Sequence, residues 1–325
     1  MLAHLRERAG PGGILSYRDF TKAALYAPGL GYYARAGVER VGRRASTDFY
    51  TAASLQGGIF GRLVRAAAEK LLGPEGAREF GLMEIGAEPG KGVFGTEAGN
   101  FAAVETRRLG EPLEPGPKSV VFGNELLDAQ PFHRLVYRRG GWRELGVRVD
   151  GVALEEVEMV EMTGEVEKEL REDLPKESTE GYLVDISLDA EVLLRDLAAR
   201  PWAGWLILAD YGYDWNDLVR ERPAGTARAY YRQEASRDLL ARSGEQDLTC
   251  HVCWDRLEGV LREGGFTEVR VERQEAFFLH HAQTVVEEIM TAAAGRFSVE
   301  RQTLMELLHP AHLGHKFQVL QGRRE

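Results

Sequence analysis

The sequence predicts an α/β fold: a doubly wound, Rossmann-like sheet with an N-terminal helical cap and an inserted β-rich segment. Three stretches carry the prediction. Leu82-Met83-Glu84-Ile85 runs into Gly86-Ala87-Glu88-Pro89-Gly90-Lys91-Gly92, an apolar run with an acid closed by a glycine-rich turn, as the first strand of such a sheet ends. Ser119-Val120-Val121-Phe122 ends in Gly123-Asn124-Glu125-Leu126-Leu127-Asp128-Ala129-Gln130-Pro131, and Trp205-Leu206-Ile207-Leu208-Ala209 ends in Asp210-Tyr211-Gly212-Tyr213. Ligands of these folds bind outside the carboxyl ends of the strands, where glycine lets them approach bare backbone. The spacing Gly86-x3-Gly90-x-Gly92 is not the G-x-G-x-x-G of nicotinamide enzymes. On its own it reads equally as an ordinary surface turn.

Composition narrows the class. A chain of 325 residues with 44% hydrophobic and 28% charged residues has enough apolar material for a sizeable core, in one large domain or two smaller ones. The net charge of −10 gives no support to nucleic-acid binding. No run of eighteen apolar residues suggests a membrane span. Met1-Leu2-Ala3-His4-Leu5-Arg6-Glu7-Arg8 carries charge where a secretion signal needs an apolar stretch, so a cytoplasmic location is expected.

Residues 1–34 open as a helix broken by Pro11-Gly12-Gly13. Ser16 then caps a second helix, with Asp19 at its third position and Phe20, Ala23, Ala24 and Leu25 inward. Residues 35–48 are arginine-rich and read as a mobile loop. A helix through Phe60–Leu72 follows, stopped by Gly73-Pro74. A short strand is expected in Phe101–Val104. Arg134–Arg138 and Trp142–Val149 alternate around Arg139-Gly140-Gly141, a hairpin. Residues 150–180 are acidic and poor in large apolar side chains, and read as edge strands plus a disordered loop. Asp189–Arg200 predicts an amphipathic helix with Val192, Leu193, Leu197 and Ala198 inward. Residues 214–250 form a long connection. Trp254–Glu263 is a helix ended by Gly264-Gly265; Val269–Val271 and Lys316–Leu320 are late strands, with a helix near 282–294 between them. The expected division is a cap over 1–75, a core of 76–133 and 183–325, and an inserted hairpin segment over 134–182.

Two clusters could in principle bind metal. Cys250-His251-Val252-Cys253 lacks the second cysteine pair of a zinc site, and reads better as two thiols in a packed segment. In His309-Pro310-Ala311-His312-Leu313-Gly314-His315 the proline and glycine break the helix that would align three rings.

Several separated segments together resemble the MidA family of S-adenosylmethionine-dependent protein arginine methyltransferases, known for assisting mitochondrial complex I assembly. Gly31-Tyr32-Tyr33 resembles its G-Y-Y, and Asp48-Phe49-Tyr50-Thr51 followed by Phe60-Gly61 its D-F-x-T segment. Glu84-Ile85-Gly86 with Pro89-Gly90-Lys91-Gly92 is similar to E-I-G-P-G-R-G, and Asn124–Pro131 to N-E-F-F-D-A-L-P, the most specific of the matches. Asp210-Tyr211-Gly212-Tyr213, Asp247-Leu248-Thr249-Cys250-His251-Val252 and Pro310–Leu320 also match. The resemblance implies a methyltransferase sheet, S-adenosylmethionine as cofactor and a protein as substrate or partner. It implies cofactor contacts at Asp48, Thr51, Glu84, Gly86, Gly90 and Gly92. Asn124 would hold the nucleophile, and the Glu125 and Asp128 carboxylates would accept bidentate hydrogen bonds from a guanidinium. The same Asn124–Asp128 residues would also suit a strand followed by a capped helix.

Three departures bear on the cofactor. The glycine-rich loop is two residues longer than the family's, and places Glu88 beside the expected cofactor carboxylate. Thr51-Ala52-Ala53-Ser54-Leu55 largely loses the family's S-P-E-I. A helix, a strand and a further helix need about 40 residues, more than Val93–Lys118 provides. The acid that usually closes the second strand and binds the cofactor ribose has Glu105 as its one candidate, in a Val104-Glu105 stretch that reads better as loop. Weak cofactor binding is therefore expected. The alternative is a divergent relative that keeps the fold, has lost the cofactor, and acts as a binding or assembly protein.

Overall fold

The structure, a computed structural model, describes residues 1–35, 40, 47–48, 51–55, 58–73, 76–87, 92–96, 98–151, 153–292 and 298–325. The chain opens with α1 (Leu2–Ala9), β1 (Ile14–Ser16) and α2 (Tyr17–Tyr26). Ser16 caps α2 by accepting the Asp19 amide, and Phe20, Ala23, Ala24 and Leu25 are buried. The loop expected at 35–48 falls largely outside the described residues. After it come α3 (Ile59–Leu72), β2 (Gly81–Ile85), β3 (Ala103–Arg107) and β4 (Lys118–Asn124). Next are β5 (His133–Arg138), β6 (Gly141–Asp150), β7 (Ala153–Glu158), α4 (Gly164–Glu169), β8 (Leu183–Ile186), α5 (Leu188–Ala198), β9 (Ala203–Asp210) and β10 (Gly212–Tyr213). Then follow α6 (Trp215–Arg220), β11 (Arg228–Tyr231), β12 (Glu234–Ser236), β13 (Asp247–Thr249), β14 (Val252–Cys253), α7 (Trp254–Glu263) and β15 (Thr267–Arg273). The chain closes with α8 (Gln274–His281), α9 (Gln283–Ala292), α10 (Val299–Leu308) and β16 (Gln318–Arg324).

The central sheet has the order β3-β2-β4-β9-β16-β15. β3, β2, β4 and β9 are parallel, and β16 enters antiparallel to β9 on one side and β15 on the other. Side chains alternate across it, as the period of two demands. Leu82, Val120, Phe122 and Ile207 face a core shared with residues of α3, α8, α9 and α10. Met83, Ile85, Val121, Leu206 and Leu208 face one shared with α5 and α7. The expected α/β class and the sheet joining the three strands are both present.

Among the described residues, β2 reaches β3, and β3 reaches β4, without an intervening helix. The short strand lies two residues later than its apolar residues suggest, at Ala103–Arg107. The stretch Val104-Glu105, expected as loop, pairs along the free edge of β2, with Met83 opposite Glu105 and Ile85 opposite Arg107. The edge of an existing parallel strand supplies a ladder that composition does not reveal.

A second sheet, β1-β6-β5-β8 with β7 on β6, joins the strands of the β-rich insertion to β1 of the N-terminal segment and to β8, which starts at Leu183, just past the insertion's expected end. Arg139 and Gly140, both left-handed, make the two-residue turn of the β5–β6 hairpin. Leu135 and Tyr137 face a core with Val166, Leu170 and Leu174, whereas Val136 faces α2. The region 150–180 is thus not a disordered loop. It holds β7, the expected edge strand on β6, and α4, and Val166, Leu170 and Leu174 are buried while Val160 stays exposed. In α5 the inward stripe is Ala190, Leu194, Leu197 and Ala198, and Val192 points outward, out of phase with that stripe. The last strand begins at Gln318 rather than Lys316.

Candidate active site

A cavity of about 740 Å³ opens at the carboxyl ends of β2, β4 and β9. The β2 end contributes Glu84, Ile85 and Gly86; the β4 end contributes Asn124, Glu125 and Asp128. Asp48 and Thr51 come from the N-terminal segment; Tyr230, Asp247, Thr249 and His251 come from the connection after α6; Lys316, Phe317 and Gln318 form a lip at the start of β16. Seven of the nine residues singled out in the sequence therefore share one cavity. Gly92 lies just behind it, and Gly90 falls outside the described residues, as do Glu88 and Lys91.

Each residue has a structural reason for its place. Asp48 is buried, with Oδ2 accepting the Tyr32 hydroxyl at 2.8 Å and Oδ1 the Arg232 amide at 2.7 Å. Thr51 caps a 3-10 turn over Ala52–Ser54 in a reciprocal box with Ser54. Glu84 is buried at the end of β2, and Oε2 accepts the Val93 amide at 2.8 Å. Burial pushes its carboxyl up to about 7, against the pull of that amide and of Arg108. The glycines are required by contact. A Cβ on Gly92 would stand 2.2 Å from Glu84 Oε2, and one on Gly86, where φ is +73°, would stand 2.6 Å from Leu126 Cδ1.

No helix follows β4: residues 125–131 form a turn. Glu125 adopts a left-handed φ of 49° at its start, a conformation rare for such a residue and common at functional turns. Its Oε1 accepts the Asn124 side-chain amide at 3.0 Å and the Ala52 backbone amide at 3.3 Å. Burial, with the neighbouring Asp128 adding to it, pushes the Glu125 carboxyl up to about 8. Asp210, at the end of β9, takes the place of a helix cap: its Oδ2 accepts the Leu127 amide at 2.9 Å and the Asp128 amide at 3.2 Å. The Tyr211 hydroxyl donates to Asp128 Oδ2. Burial raises the pKa of both Asp128 and Asp210.

Tyr211, Tyr230, Asp247, His251 and Lys316 complete the wall. The motifs D-Y-G-Y, D-L-T-C-H-V and Pro310–Leu320 mark the stretches of Tyr211, Asp247, His251 and Lys316 but not these side chains as lining, and Tyr230 lies in no motif. His251 stacks on Tyr213 at 5.0 Å between centroids and meets Tyr211 edge-on at 4.8 Å. Burial presses its pKa down to about 4, so the ring is neutral at pH 7. Both cysteines are buried thiols. His315, from the histidine cluster, lines the lip and pairs with Glu275 at 2.6 Å.

Electrostatically the cavity is a cation site. Five carboxyl groups line it, Asp48, Glu84, Glu125, Asp128 and Asp247, of which burial holds Glu125 largely protonated at neutral pH, and Lys316 is the one Lys or Arg among its described lining residues. Five aromatic rings, Tyr33, Tyr211, Tyr213, Tyr230 and Phe317, add negative faces. Asn124 Oδ1 is buried and has no hydrogen-bond partner in the protein, an acceptor held ready for a donor from a ligand. A sulfonium cofactor carrying an ammonium group fits this donor set. One expected partner is displaced. Glu105 is half exposed, bonds Arg107, and lines a groove with Glu79 and Lys118 at the opposite end of β2. The second strand ends instead in Arg107 and Arg108.

Comparison with known proteins bears on the same chemistry. A family model described as putative S-adenosyl-L-methionine-dependent methyltransferase matches residues 106–271, just over half of the chain. The chain is 24% identical to the mitochondrial protein arginine methyltransferase NDUFAF7 of Mus musculus, across 98% of this chain and 83% of that protein. It is 22% identical to the protein of the same name from Rattus norvegicus, over the same shares. A Burkholderia thailandensis structure with S-adenosyl-homocysteine bound superposes with a TM-score of 0.82 at 25% identity, covering 99% of this chain and 91% of that one. These findings bear out the resemblance read from the motifs.

Proposed function

This chain belongs to the family of putative S-adenosyl-L-methionine-dependent methyltransferases, and from that premise we propose that its methyl acceptor is an arginine side chain of a protein. One observation carries the reading. The cavity sets two carboxyls, Glu125 and Asp128, beside Asn124 at a strand end, inside a ring of aromatic faces and further carboxylates. A guanidinium is planar, always charged and suited to bidentate pairing with carboxylates and to stacking on aromatic rings. The curated relatives named above are protein arginine methyltransferases, which supports the same class.

The bound cofactor supplies a methyl group on a sulfonium, open to in-line displacement. The chain's own work is alignment, which can lower a barrier by several kcal/mol. Glu84 and the glycines beside it shape the cofactor end. Asn124 Oδ1 accepts a hydrogen bond from the acceptor nitrogen or from the cofactor ammonium. Glu125 and Asp128 orient the guanidinium. The neutral His251 adds a face without adding a positive charge.

The test is transfer of a labelled methyl group from S-adenosylmethionine to arginine-containing and lysine-containing peptides, followed by amino-acid analysis. Label on methylarginine is the expected result. Label confined to lysine or to a small molecule overturns the arginine reading and leaves the methyltransferase class in place. Neither transfer nor cofactor binding at millimolar concentration returns the alternative, an assembly protein that retains the fold.

A further inference from the structure

Asp210 and Tyr211 are adjacent in sequence, and together they hold both ends of Asp128. Asp210 Oδ2 fixes the Asp128 main chain through its amide, and the Tyr211 hydroxyl donates to the Asp128 side chain. The Tyr211 ring is itself clamped, edge-on to His251 at 4.8 Å and to Phe317 at 5.5 Å. Its hydroxyl is therefore aimed by packing rather than left to rotate. Among the described residues, Glu125, the other carboxyl of the turn, receives the Asn124 and Ala52 amides.

We propose that Tyr211 is the positioning residue that makes Asp128, and not Glu125, the proton acceptor of the methyl transfer. The inference rests on the arginine reading above. As the new N–C bond forms and the donor's S–C bond breaks, the attacking guanidinium nitrogen loses a proton. That proton passes to the Asp128 carboxylate. The sulfur leaves neutral, and the methylated guanidinium keeps its single positive charge, so atoms and charge balance. An acceptor must be ionised beforehand. Burial works against this, and an ionised Asp128 in turn raises the pKa of the groups that face it: Asp210 from the β9 end, Glu125 from its own turn, Tyr230 from β11 and Cys250 after β13. The phenolic hydrogen bond is the side-chain contact that favours the anion. Glu125, pushed up to about 8, stays largely protonated at neutral pH and serves for orientation.

The experiment measures kcat for methyl transfer to an arginine peptide between pH 5.5 and 9 for the wild type and Tyr211→Phe, with cofactor affinity measured by calorimetry on both. The Phe ring keeps the clamp and removes only the hydroxyl. The acid limb of kcat reports the group that must be ionised in the complex. In Tyr211→Phe it should move up by about one to two pH units, the high-pH plateau staying within about threefold and the cofactor affinity unchanged. An unshifted limb with a uniformly lower rate overturns the proposal and leaves Tyr211 a packing residue. Should Tyr211→Phe not fold, Asp128→Asn decides: the acid limb must disappear, and a wild-type limb in that variant overturns the proposal as well. A wild type that labels no arginine at any pH fails at the underlying reading and overturns the proposal with it, a result distinct from an unshifted limb.

Discussion

Glu84 and Val93 close a ring in the chain: Glu84 Oε2 accepts the Val93 amide at 2.8 Å, tying the far side of the glycine-rich stretch back to the end of β2. Gly92 passes directly over that carboxylate and has no room for a side chain. Gly92→Ala should therefore force the ring open at a cost of about 1–3 kcal/mol. S-adenosylmethionine affinity should fall about tenfold or more, measured by calorimetry. Wild-type affinity would show that the ring has no part in the cofactor site.

Asn124 and Asp128 should be needed for transfer but not for folding. Asn124→Ala and Asp128→Ala are each expected to lower kcat by about a hundredfold, the lower end for a positioned proton-transfer group. The far-UV circular dichroism should not change. Full activity in both variants would remove them from the mechanism.

Cofactor binding is expected to be weak. The second strand ends in two arginines, and Glu105 points to a different groove. The ribose hydroxyls then lack a charge-assisted partner, on the order of 1.5–3 kcal/mol, or roughly ten- to hundredfold in dissociation constant. Isothermal titration tests this. Low-micromolar binding would mean that another residue fills the place of the acid.

Stability should fall as pH rises through neutrality. Glu84 and Glu125 have folded pKa values of about 7 and about 8, above the unfolded value of about 4.3. Between those limits the native state holds protons that the unfolded chain has released, so each unit rise in pH favours unfolding. Glu125→Gln removes one such group, and the drop in Tm between pH 5.5 and 8.5 should shrink. An unchanged drop would show that Glu125 ionises freely in the folded protein.

Much of this was legible in the residues. Strands that alternate or run apolar to a polar end mark β2, β4, β5, β6 and β9, and Ser16 marks the start of α2, because each signal is local. The cavity's near wall follows from the same strand ends. Its far wall does not. Tyr211 reaches Asp128 across 83 positions of sequence, and nothing local in D-Y-G-Y says where its hydroxyl goes. β3 is an edge strand with exposed and half-exposed side chains, so it lacks the apolar run that reveals a buried strand. Val166, Leu170 and Leu174 are three residues in an acidic stretch, too few to set a period, yet each fills a place in the second core.

The pairing of β1 with β6 also governs how the molecule is made. Ile14 lies opposite Arg148, Leu15 opposite Val147 and Ser16 opposite Gly146. At roughly 5–20 residues per second of synthesis, some 130 residues separate the two halves of that ladder by about 6–26 seconds. Throughout that interval Phe20 and Leu25, buried in the finished core, have no sheet to cover them. A nascent chain of this protein therefore carries an apolar helix without its native cover for many seconds. Slowing the ribosome between positions 16 and 150 would lengthen that exposure without altering a single contact of the native state.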